Sequence, residues 1–421
     1  MTTQTKRILL IVGMTVVTLT IGYAIYYVFF QAFLVPDDTR NDNANTNAGP
    51  VTPGGLPNTN VNRPVNANQN VNGEPGVNVN GQTGLPEIAD VADGGVTRVT
   101  RVSDSSVQHG IASENGTEYV YYDQETGTFV KLFPNGERIQ ISEQEFFSVA
   151  DVAWSPGLNQ AILSYPDGSN IYYNFDNGTT VTLPKEIGEV EFSETGDKIA
   201  YEFLGEDEGE RWLAVASPNG SGQQIVEPLG FRDDRVDVTW SPDGQVVGMY
   251  REGVGVDQEE IFLIGQHGEN FKSFRVDGAG FTGRWTPQGD KLLYSVYNAD
   301  SGYKPTLHIV DAKGDSIGLN NTSLDVNTWP DKCTFAGTTL YCAVPTGLED
   351  GAGLAPELSR FTPDNFYEIN LETGQKSLLA MPYAQSGDEG YSVEDLYVSG
   401  DGNSLYFRNA LTGTLEQIRI K

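Results

Sequence analysis

RVDVTWSPDGQVVGMY at residues 235–250 and GFTGRWTPQGDKLLYSVY at residues 280–297 are two copies of one unit, and they decide the fold. Each opens on a short alternating strand, such as Val236, Val238 and Trp240, which places every second side chain on one face. A tight turn follows. In Ser241-Pro242-Asp243-Gly244 the serine suits the first position of a type I turn, the proline with its fixed φ the second, and the glycine the fourth. An apolar strand then runs back from Val246 to Tyr250.

The same frame recurs outward from these copies. VADVAWSPGLNQAILSY (149–165), IGEVEFSETGDKIAYEF (187–203) and VEDLYVSGDGNSLYFRN (393–409) repeat it, and GIASENGTEYVYY (110–122) and DKCTFAGTTLYCAV (331–344) are degenerate versions. Aligned four residues before the turn glycine, whose place Leu158 takes in the 149–165 copy, stand Ala112, Trp154, Phe192, Trp240, Trp285, Cys333 and Val398. A period of roughly 40–45 residues, with four strands per unit, is the signature of a propeller. The expected fold is therefore all-β: about seven four-stranded blades over residues 95–421, with six or eight blades as alternatives. The last unit ends after three strands, so the strand-like GVTRVTRV at residues 95–102 is expected to supply the fourth and close the ring. Trp154, Phe192, Trp240 and Trp285 hold equivalent positions, and packing between blades explains them without a sugar-stacking role.

The WSPDG, WTPQG and FSETG turns, each followed by an apolar strand, resemble the WD40-like PD40 repeats of TolB-type bacterial propellers. The resemblance spans about residues 95–421 and implies fold more than function. Six blades and a preceding α/β domain are expected of TolB itself; seven units and no such domain are read here, so a role in the Tol–Pal system is not carried over.

The residues ahead of the repeats divide into three. Residues 1–7 end in Lys6 and Arg7, and residues 8–34 are free of charge and rich in Ile, Leu, Val, Phe and Tyr. At 1.5 Å per residue that run reaches roughly 40 Å, beyond the ~30 Å of a bilayer core, so it is read as an uncleaved transmembrane helix. The basic flank ahead of it and Asp37 and Asp38 behind it orient the N-terminus to the cytoplasm and the remainder outside the cell membrane. Residues 35–94, rich in Asn, Pro and Gly and without an aromatic residue up to Asp93, read as a disordered spacer.

Charge and motifs exclude several functions. A formal charge of −31 repels phosphate backbones, so no nucleic-acid partner is expected. His109, His267 and His308 lie in different units without metal-ligand spacing, and no zinc-protease, serine-hydrolase, P-loop or sialidase-box pattern occurs. No catalytic residue and no metal site is read. Cys333 and Cys342 flank one hairpin, and an even cysteine count in an exported domain suits a disulfide, with two free buried thiols as the alternative.

The loops after the second strand of each unit are long and acidic. They carry Glu206, Asp207, Glu208, Glu210, Glu252, Asp257, Glu259, Asp300, Glu349, Asp350 and Glu357. Decorated loops on a rigid scaffold are where binding usually resides. These residues are the expected site of a non-catalytic binding or scaffolding module for a protein, peptide or cell-envelope glycan. The alternative is an enzyme whose site lies at the mouth of the central channel. No cofactor is expected, although clustered carboxylates could take Ca²⁺.

Overall fold

The computed structural model describes residues 87–421 apart from 114, 134 and 384–389. The expected span at 8–34 and the spacer up to residue 86 lie outside the described residues; among those described, no helix is long and apolar enough to cross a membrane.

Seven antiparallel sheets follow one another along the chain. Their innermost strands are Gln108–Ala112, Asp151–Trp154, Ile187–Phe192, Val236–Val238, Ala279–Trp285, Cys333–Ala336 and Val393–Val398. In blades 1 to 6 the chain runs outward through four consecutive strands. Blade 7 has three strands of its own and takes its outermost from the N-terminal side: Thr100–Arg101 pairs antiparallel with Leu415–Arg419.

The closing segment does more than its sequence suggests. Val96–Thr97 pairs in parallel with Lys376–Pro382 and adds a fifth strand to blade 6 before the chain crosses to blade 7. Residues 87–94, read from sequence as the end of the spacer, are also engaged. Ala89 bridges Thr97, the Ala92 amide donates to the Arg419 carbonyl at 2.8 Å, and Arg98 pairs with Asp90 at 2.7 Å. One stretch thus straps two neighbouring blades.

The turns repeat the chemistry of the repeat. In blade 4 the Gly244 amide donates to the Ser241 carbonyl at 2.8 Å, and the Val246 amide donates to Ser241 Oγ at 2.9 Å. Ser113, Ser155, Ser193, Thr286 and Ser399 accept the corresponding amide in their own blades. Gly244, at φ 73°, needs the left-handed region; Leu158 fills the same place in blade 2 at φ 56°.

The core lies between blades rather than within them. Trp154 packs with Val120, Tyr122 and Phe129 of blade 1; Phe192 packs with Ile162 and Tyr172 of blade 2. Trp240 packs on Leu213 and Val215 of blade 3, and Trp285 on Met249 and Ile261 of blade 4. Two indoles are also clips, since Trp154 Nε1 donates to the His109 carbonyl at 2.7 Å and Trp240 Nε1 to that of Glu191 at 3.1 Å. Cys333 and Cys342 face each other across the inner hairpin of blade 6 and are joined by a disulfide, with both residues fully buried.

Candidate functional site: an acidic central channel

Strand register places the chemistry. Ala112 pairs with Tyr119, Trp154 with Ala161, Phe192 with Ile199, Trp285 with Leu292 and Val398 with Leu405, always seven residues on. In blade 6 that spacing belongs to Thr334 and Tyr341. Thr334, not Cys333, therefore stands at the tryptophan position. The hairpin there turns through Gly337-Thr338 alone, because Ala336 already pairs with Thr339, so counting back from the glycine lands one residue out.

Three residues before this position each blade presents a side chain at the same level, from the inner strand in six blades and from the 3-10 turn Pro330–Lys332 in blade 6. The seven are His109, Asp151, Glu189, Asp237, Thr282, Asp331 and Asp395, and five of them carry a carboxyl group. His109 and Asp151 lie at the start of their strands and Asp331 just ahead of its own, on the side of the loops entering each blade, whereas Glu189, Asp237, Thr282 and Asp395 sit near mid-strand. In blades 1, 3, 5 and 7 a register shift in the inner strand brackets this level. His109 at φ 49° and Asp395 at φ 51° occupy the left-handed region there, which bulges use to re-aim a side chain.

The channel has two lobes. One, of about 670 Å³, is lined by His109, Asp151, Asp331, Asp395, Tyr119 and Trp154 among others. The second, of about 550 Å³, is lined by Glu189, Glu191, Asp237, Trp240 and Trp285. Arg284 borders both and donates through Nη1 to the Cys333 carbonyl at 2.6 Å. It is a single guanidinium among seven carboxyl groups.

These carboxyls are open to channel water yet walled by protein, and the wall sets their protonation. Burial pushes Glu191 up to about 8, against the Trp240 amide that donates to its Oε2 at 3.1 Å. Burial also raises Glu189, Asp237, Asp331 and Asp395. Arg251 beside Asp237 and Arg408 beside Asp395 oppose the rise, at 3.4 and 3.0 Å. Asp151 is the exception: a hydrogen bond from His109, 3.3 Å away, lowers it.

Several of these groups hold the fold. Inner-strand amides facing a channel lack a ladder partner. Glu189 Oε2 takes the Val238 amide at 3.0 Å, and Glu259, one of the loop residues singled out from sequence, takes the amides of Gly280 and Phe281 at 3.3 and 3.0 Å. Asp151 and Asp331 accept no such inter-blade amide among the hydrogen bonds of the described residues.

The other loop acids are not gathered into one cluster. Glu206, Asp207, Glu208 and Glu210 are exposed on blade 3, Glu252 is exposed and Asp257 half-buried on blade 4, and Asp300 is exposed on blade 5. Glu349, Asp350 and Glu357 are exposed on the blade 6 insertion, which docks on blade 5: the Gly351 and Gly353 amides donate to the Gly302 and Tyr303 carbonyls, and Asp350 meets Lys304 at 3.2 Å. Among the described residues, no three His, Cys, Asp or Glu side chains lie close enough to hold a metal ion.

Comparison with known proteins is informative at the level of architecture. No protein-family model matches the sequence, and no curated protein does. The structure is similar to the β-propeller domain of Cps50 (Swd1) from Myceliophteria thermophila, with a TM-score of 0.51 and 11% identity over 77% of this chain and 100% of that one. It is also similar to an oligogalacturonate lyase in complex with manganese, with a TM-score of 0.50 and 13% identity over 77% of this chain and 93% of that one. The chain shares their propeller fold. One of these proteins is an enzyme and the other a propeller domain, so the likeness does not extend to activity.

Proposed function

We propose that the chain is a non-catalytic binding or scaffolding module of the TolB-like, PD40-repeat kind, held outside the cell membrane by a transmembrane helix at residues 8–34. It engages a protein, peptide or cell-envelope glycan at the face where the loops of blades 3–6 surround the channel mouth. The observation that carries this reading is the channel itself, a solvent-open acidic ring on a rigid scaffold with no nucleophile–base pair among its lining residues.

The raised carboxyls of the ring are the one feature that favours an enzyme. Their surroundings give a simpler account. Glu189 and Glu191 secure the amides of blade 4, and Asp237 and Asp395 sit beside arginines of their own blades. Perturbed groups that brace a fold need no reaction to explain them.

The test is cross-linking of the full chain in its native membrane, followed by mass spectrometry of the captured partner. The same experiment is run with Glu206, Asp207, Glu208 and Glu210 all changed to Gln or Asn. The expected result is a partner that cross-links to the loop face and is lost in the variant. Partners that attach only to the outer blade edges, unaffected by the variant, would overturn the reading. Protease protection of the propeller in inverted vesicles, and cleavage in spheroplasts, is expected from the tether.

A further inference from the structure

The longest connection between a second and a third strand, from Pro345 to Asp364 in blade 6, folds against blade 5 instead of standing free. The Thr346 amide closes its base on the Pro363 carbonyl at 2.8 Å. Further along, Gly353 packs on the ring of Tyr297 in blade 5, where a Cβ would come within 2.6 Å of that ring. Gly280 approaches the same ring from the inner strand, and a Cβ there would come within 2.2 Å. Tyr303 meets it as well, with ring centroids 6.5 Å apart and planes at 61°. Tyr297 is thus a fixed aromatic wall that only glycines can flank.

Beside that wall lies a cavity of about 340 Å³ whose apolar lining comes from Tyr297, Pro305, Trp329 and Pro356. Its polar lining is already engaged. Thr282 and Ser295 share a hydrogen bond at 2.9 Å, and Glu259 holds the Gly280 and Phe281 amides. Arg251 donates to the Phe281 carbonyl at 3.1 Å and pairs with Asp237. A sugar would lose hydrogen bonds to water here without gaining new ones, whereas an aromatic side chain needs only surface to stack on.

The rim is apolar as well. Leu354 is 60% exposed, Leu358 81% and Tyr303 37%, and the helical turn that carries Leu358 begins at Pro356 of the cavity wall. Apolar side chains left in water around a cavity mark an interaction site. Charge says what covers it. Asp300, Glu349 and Glu357, on the same two loops, have no cation partner among the described residues. The cations nearby are spent, Lys304 on Asp350, Arg251 on Asp237 and Arg360 on Glu394. The complementary surface is an apolar anchor flanked by positive charge.

We propose that this cavity is the anchor pocket of the loop face, taking one aromatic side chain from a polypeptide segment whose neighbouring residues are lysine or arginine. The assignment rests on the binding-module reading and narrows its partner to a polypeptide.

Calorimetry on the full chain in detergent tests it. The probes are the capped peptides Lys-Lys-Trp-Lys-Lys, Lys-Lys-Ala-Lys-Lys and Glu-Glu-Trp-Glu-Glu, and a pentamer of N-acetylglucosamine. We expect the first to bind at least about tenfold more tightly than either other peptide, and the sugar to give no heat. Leu354→Ser with Leu358→Ser, at exposed positions, should weaken it at least about fivefold at an unchanged melting temperature. Trp329→Leu should erase the preference for tryptophan over alanine, and Asp151→Asn with Asp331→Asn in the channel should leave that preference intact.

Equal affinity for the tryptophan and alanine peptides, no heat from the tryptophan peptide at millimolar concentration, or binding indifferent to the two leucine substitutions overturns the proposal. Heat from the sugar alone, lost in Trp329→Leu, overturns it in favour of a glycan. If a cross-linked partner is still captured on the loop face while the tryptophan peptide fails to bind, the module reading stands and the anchor pocket falls. If the peptide binds as expected but partners attach only to the outer blade edges, the pocket stands and that reading falls.

Discussion

Glu191 sits where two demands conflict. Its carboxyl must accept the Trp240 amide, yet the channel wall withdraws the water that would stabilise its charge, and its pKa rises from the ordinary 4.5 to about 8. A carboxyl raised on folding contributes stability that is fully present below pH 4.5 and lost as the pH climbs through 8. Glu191→Gln keeps an acceptor oxygen and removes the charge. We expect it to be more stable than the native chain by about 1–3 kcal/mol at pH 8.5 and nearly equal to it at pH 4.5, by urea unfolding. Glu202, also pushed to about 8 by burial, keeps some pH dependence in the variant. A native-minus-variant difference that does not change with pH would refute the account. Burial raises Asp364 too, but here a cation stands beside the carboxyl. Its Oδ2 accepts both Lys332 Nζ and the Val393 amide at 2.7 Å, with the Asp364 side chain wholly buried, and so ties blade 6 to blade 7. Asp364→Ala strands a buried ammonium and should cost about 3–5 kcal/mol, whereas Asp364→Leu with Lys332→Met should recover most of it. Equal losses in the two variants would show that the pair does not act as a unit. At this scale the sequence was nearly legible. The ring falls three residues before each tryptophan-level position, but the short turn of blade 6 shifts that count, and in a strand a shift of one exchanges the two faces. Counted from Cys333 the blade offers Pro330 to the channel; counted from Thr334 it offers Asp331.

Elements were easier to read than side chains, because turn chemistry repeats whereas loop decoration does not. The serine or threonine that opens the turn in six blades satisfies a backbone amide, so it recurs even where the tryptophan gives way to Phe192 or Val398. The closing strand was foreseeable from blade 7's missing partner. Its division between two blades was not, since blade 6 already has four strands and nothing in its sequence asks for a fifth. That difference orders the energetics. The blade 7 junction includes Ser103, fully buried, whose Oγ accepts the Leu415 amide at 2.9 Å, alongside the Val102 amide donating to the Leu415 carbonyl at 2.8 Å. Deleting residues 95–102 should lower the melting temperature sharply, because it opens the ring as well as removing the added strand. Changing Thr97 to Pro, which disrupts only the junction with blade 6, should cost less than Ser103→Ala combined with Arg101→Pro at blade 7. Scanning calorimetry of the three chains gives the order, and equal losses at the two junctions would sink the distinction.

Across the whole molecule, 57 acidic residues stand against 26 lysines and arginines, and the strap, loops and channel share the surplus. Self-repulsion of this size opposes the compact state and is long-ranged, so salt relieves it. Salt also weakens ion pairs, but most of those here are surface pairs such as Arg98–Asp90 and Lys185–Asp167, which contribute little. The buried Lys332–Asp364 pair is shielded from it. Relief of repulsion should therefore dominate, and the melting temperature should rise between 10 and 150 mM sodium chloride, by roughly a few degrees. The seven carboxyls of the channel concentrate this effect, so neutralising Asp151 and Asp331 should make the rise shallower. Calcium and magnesium chloride at the same ionic strength should act as sodium does, because the described carboxyls nowhere converge three at a time. A gain of several degrees at low millimolar calcium, with none from magnesium, would instead require oxygen ligands to come together around an ion in solution. That outcome would replace a diffuse ring of repelling charges with a discrete metal centre.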